Sequence, residues 1–230
     1  MNKRLRQSDI EKLVTMKRIY LDIIIFVLGL MTMSFQFLPK IMHEVLGILL
    51  SFCVLWHLYL NRIWFKSLFR GKYTVFRTIC TVVNMLLLGS ATMMTICGCI
   101  ISNHLFKGFF SLELQRNILI HQIHVSFPYL IMILAGLHFG IHWQGLWQRL
   151  ATKPSTACRK ILYNAIALSI IAVGVYGSFL NRVGDRLLMK HIFGTVAVQL
   201  PFAEYLLFLF GIFGLYTIIG FLVQKFLRNI

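Results

Sequence analysis

The sequence predicts an all-α, polytopic membrane bundle of about six transmembrane helices, and three observations predict it. Hydrophobic residues make up 58% of the 230 positions and charged residues only 13%, which is more apolar surface than a soluble domain of this length can bury. Six apolar runs, at 19–38, 41–65, 74–101, 118–145, 161–181 and 203–223, each reach the length of about 20 residues that crosses a hydrocarbon layer. The runs are continuous and do not alternate with polar residues, so each forms a helix and not a strand of a closed barrel.

Taken in order, residues 1–18 are polar and charged and are expected to form a cytoplasmic N-terminal segment lying at the surface. The first apolar run is too long for the core of a cleavable signal and lacks a small-residue cleavage site, so it reads as a signal anchor. Pro39 and Lys40 then make a tight outer turn into the second run. Counting Arg62 and Arg77 at the facing ends of the second and third runs with the connection between them, seventeen of the 23 basic residues fall before the first run, between the second and third, between the fourth and fifth, and after the sixth. That alternation places both termini in the cytoplasm by the positive-inside rule, as for a multi-pass protein of a bacterial inner membrane. The net charge of +16 is thereby explained by attraction to anionic lipid, and nucleic-acid binding is excluded as a reading. Trp56, Tyr59, Trp64, Trp143 and Trp147 lie near span ends, as an interfacial aromatic belt does. Residues 146–160, with Lys153-Pro154-Ser155, are expected to form a cytoplasmic loop. It divides a front section of four spans (19–145) from a two-helix extension (161–230).

The second run reads HEVLGILLSFCVLWH, with a histidine at each end, and ionisable residues at such depth are expensive to keep. His43 and His57 are fourteen residues apart, and so are His124 and His138 in the fourth run. Fourteen helical steps fall about 40° short of four full turns and rise about 21 Å, so each pair lies on one face of its helix. The two runs point the same way through the membrane, which sets His43 level with His124 near the outer side and His57 level with His138 near the inner side. Two levels with two imidazoles each suit two bis-histidine haems, neutral imidazole supplying the axial lone pair. Gly47, Gly136 and Gly140 are expected to let a macrocycle approach the backbone. No Cys-x-x-Cys-His attachment motif occurs, so the haem is of b type.

These same stretches resemble the flavinylation-associated cytochrome domain, a family of the two-haem cytochrome b superfamily. The resemblance is carried by HEVLGILLSFCVLWHLYLNRIWF, by GCIISNHLF at the end of the third run, and by HQIHVSFPYLIMILAGLHFGIHW. It covers about residues 20–145, and the tail segment VGVYGSFLNRVGDRLLMKHIF is similar to longer members. The resemblance implies iron ligation by His43, His57, His124 and His138. It further implies an electron-transfer subunit of a membrane oxidoreductase, with a quinone or quinol and a periplasmic flavin-bearing domain as partners.

The remaining candidates are weaker. His121 lies about 100° around the helix from His138. His142 is five whole turns from His124, but that spacing does not match the second run, so it is expected at the interface beside Trp143. His104 and His191 fall in outer connections and are expected to be solvated. Cys97-Gly98-Cys99 is the one close thiol pair, read as buried packing before redox chemistry. Glu44 and Glu204 stand at span ends, where each could accept a quinol proton or simply cap a helix start. With no side-chain catalytic constellation and no phosphate loop, any chemistry belongs to the cofactor. Two alternatives stay open: a transporter or channel with a histidine proton or metal path, and an accessory subunit without cofactor.

Overall fold

Thr74 caps one of the long helices by accepting the Arg77 N–H, and Pro39 and Pro201 precede two others, so polar or proline residues start the spans where the apolar runs begin. The computed structural model describes residues 2–150, 157–190 and 198–228, with side chains over 16–144, 161–190 and 198–228. Among the described residues the protein is all-helical: α1 (Asn2–Met33), α2 (Lys40–Leu60), α3 (Arg62–Ser67), α4 (Val75–Ile101), α5 (Leu112–Gln115), α6 (Ile118–Leu150), α7 (Ala157–Leu180), α8 (Val183–Leu187) and α9 (Phe202–Leu227). Five of these, α2, α4, α6, α7 and α9, are long and apolar enough to cross a membrane.

The helix carrying the expected first span differs from the others. Lys17, Arg18 and Asp22 all fall in its last eighteen residues, and α1 stops at Met33 before a short 3-10 turn, Phe35–Phe37. From Ile19 to Met33 it rises about 22 Å, short of the hydrocarbon thickness of about 30 Å. The expected second span is also shorter than its apolar run. It breaks at Asn61, whose side-chain amide donates to the His57 carbonyl, and the chain resumes as α3. The expected loop at 146–160 begins as helix, because α6 continues to Leu150; residues 151–156 lie outside those described.

The chain forms two compact units, Met1–Gly71 and Lys72–Ile230, so the contacts divide it at the turn where Gly71 takes φ 77° and not at the expected 146–160 loop. In the first unit α1 and α2 run antiparallel. Arg18 donates to the Leu60 carbonyl near one end, and the Phe35 and His43 rings meet edge-on near the other. In the second unit α6 is central, with α4 antiparallel on one side and α9 parallel on another, while α7 packs antiparallel on α9.

Without a hydrophobic drive between helices in lipid, close backbone approach is what holds such contacts. A Cβ on Gly136 would sit 2.8 Å from the Phe213 carbonyl, and one on Gly140 would be 2.9 Å from the Phe221 nitrogen. Across the α7–α9 contact, a Cβ on Gly174 would stand 2.7 Å from Leu215 Cβ. Outward-facing apolar side chains such as Ile161, Leu168 and Phe179 remain widely exposed, the surface that lipid covers.

Candidate functional site

In the first unit both histidines of α2 face α1, so the fourteen-residue spacing does place them on one side of the helix. His57 Nδ1 lies 2.7 Å from Asp22 Oδ1. His43 meets the Thr32 backbone and the Phe35 ring. No atom lies within 4 Å of a Cβ placed on Gly47.

In the second unit both histidines of α6 face α4. His124 Nδ1 lies 3.3 Å from the Met94 carbonyl, and His138 Nδ1 lies 2.7 Å from Asn84 Oδ1. The pair keeps this common face although Pro128 interrupts the helix between them, removing the backbone donor that would bond the His124 carbonyl.

Three of the four expected ligands thus hold Nδ1 against a carboxylate or carbonyl oxygen. Such atoms only accept, so each Nδ1 carries the proton and donates it. In a neutral ring Nε2 is then the unprotonated nitrogen. A ligating histidine is generally oriented in this way, its other ring nitrogen donating to an oxygen outside the first coordination sphere. His121 has the reverse arrangement: its Nε2 meets the Gln115 carbonyl at 2.9 Å, so its proton sits on Nε2. The His142 ring packs edge-on to His138, centroids 4.8 Å apart.

The glycines expected to flank a macrocycle on α6 require correction. Gly136 and Gly140 lie against Phe213, Tyr216 and Thr217 of α9, and two residues of helix turn His138 about 160° away from them, toward α4. They serve helix packing. The glycine that touches an expected ligand is Gly98, where an added Cβ would fall 2.9 Å from His124 Cε1.

Asp22, Asn84, Met94 and Gly98 were not singled out as site residues by the sequence reading. Asp22 and Asn84 did carry a signal, since each is a polar residue within an apolar run. The Met94 carbonyl carried none, because backbone acceptors are not written in side-chain identity.

Cys97 is buried, and Cys53, Cys80, Cys97 and Cys99 are all free thiols. Glu204 sits in the exposed first turn of α9. His104 is exposed on the connection after α4, and His191 lies outside the described residues. Among the described residues no three His, Cys, Asp or Glu side chains gather as a multidentate metal site.

A second polar group lies in the second unit. Arg186, 4% exposed, donates to the Asn181 carbonyl and stacks over the Tyr129 ring, 4.9 Å to its centroid. Gln122 donates to the Met189 carbonyl two turns before Tyr129 on α6. These contacts fasten α8 to α6.

No family model, no curated protein and no solved structure matches this chain. The likeness to the flavinylation-associated cytochrome domain therefore rests on the motifs quoted above. The fold and site define a multi-pass helical membrane protein with two histidine pairs, each pair sharing one helix face.

Proposed function

We propose that this chain is a membrane cytochrome of b type that holds two haems and relays single electrons across a bacterial inner membrane, between a quinone pool and a periplasmic flavoprotein. The observation that carries the reading is the shared orientation of His57, His124 and His138. In each, Nδ1 donates to a protein oxygen, the orientation in which Nε2 of a neutral ring would be the ligating atom. The donor set fits haem chemically, since neutral imidazoles in bis-histidine sets are axial ligands of b-type iron.

His43, His57, His124 and His138 would hold the haem iron through their imidazoles. Bound haem contributes one-electron iron chemistry. The chain's own residues orient the ligands: Asp22 for His57, the Met94 carbonyl for His124, Asn84 for His138. Gly98 lets His124 lie close against α4.

Absorbance spectra of full-length protein purified from haem-supplied cells test the proposal. A Soret band with the reduced bands of bis-histidine haem is expected. Colourless, well-folded protein would overturn it.

A further inference from the structure

We propose that Asp22 is a redox-tuning residue, whose carboxylate lowers the reduction potential of the iron that His57 ligates; this deepens the di-haem reading and rests on it. The other two acceptors described at expected ligands are neutral, the Met94 carbonyl for His124 and the Asn84 amide oxygen for His138. Of these three, His57 is the one whose described acceptor is a carboxylate, at 2.7 Å, within the short range of charge-assisted hydrogen bonds.

A carboxylate drawing on the Nδ1 proton gives the ring partial imidazolate character and makes Nε2 a stronger donor. Stronger donation favours ferric over ferrous iron, and hydrogen bonding outside the coordination sphere is one of the means by which a protein sets haem potential.

The placement of Asp22 suits this use. It stands between Leu21 and Ile23 and is the sole acidic residue from position 12 to position 43. Arg18, one turn before it on α1, donates to the Leu60 carbonyl, while the ion pair of Asp22 is with His57. Charge distribution sets the His57 end of α2 toward the cytoplasm. Lowering the potential at this level therefore biases electrons toward the His43 level and the outer face.

Potentiometric titration of the full-length protein in detergent, followed at the reduced haem bands, tests the inference. The wild type should show two components. Asp22→Asn should raise one by about tenfold in its reduction equilibrium, about 59 mV for one electron, and leave the other in place. Asp22→Glu should keep the wild-type value, and His57→Ala should remove the component that Asp22→Asn shifts. Asp22→Ser serves as a second neutral variant if Asp22→Asn does not accumulate, and is read the same way. Intact haem with both components unmoved in the neutral variant overturns the tuning role and leaves the di-haem reading standing. Wild-type protein without haem overturns that reading itself.

Discussion

At the scale of single residues, hydrogen-bond partners divide four of the described histidines into two kinds. His57, His124 and His138 donate from Nδ1, whereas His121 meets the Gln115 carbonyl with Nε2. Replacing His121 or His142 with Ala should therefore leave haem content at the wild-type level. A halved content in His142→Ala would reassign the partner of His124. A different residue-scale effect is expected at Asp185, outside the spans. Hydrogen bonds from Lys190 and Arg182 hold its carboxyl below the usual range. A depressed folded pKa means that this clasp is present above the ordinary Asp value and is lost as pH falls through the lowered one. Carbon-13 carboxyl titration should place the Asp185 midpoint below 3.8, and Lys190→Gln should move it back up.

At the scale of elements, the α6–α9 contact is where a small change costs most. A side chain at Gly140 would run into Thr217 and Phe221 of α9, and overpacking of this kind costs about 1–3 kcal/mol. Gly140→Leu should lower the thermal midpoint in detergent, while Gly47→Ala, with nothing within 4 Å, should leave the fold unchanged. Equal losses in the two variants would contradict the packing assignment. These glycines also show where the sequence was legible and where it was not. The length of each apolar run located α2, α4, α6, α7 and α9 to within a few residues, because a bilayer imposes length directly. Gly136 and Gly140 were visible as small residues beside His138, yet which neighbour they faced depended on α9, more than seventy residues away. The break at Asn61 was missed for a similar reason, since a polar side chain reaching back to the His57 carbonyl ends the helix inside an apolar run.

At the scale of the whole molecule, the distribution of basic residues predicts an orientation. Reporter fusions at residue 1 and at residue 230 should both report the cytoplasm; an outer-face N-terminus would mean that α1, with Asp22 in its apolar half, does not cross. The equal spacing of the two histidine pairs was legible because helical geometry is periodic. The partners that fix their tautomers come from α1 and α4, which no periodicity in α2 or α6 encodes. The central claim is that each of four imidazoles supplies one axial bond to one of two haems. Haem counted per polypeptide, in the wild type and in the single variants His43→Ala, His57→Ala, His124→Ala and His138→Ala, tests it most directly. The account predicts two in the wild type and one in each variant. A wild type with no haem, or a content that all four substitutions leave untouched, would contradict it.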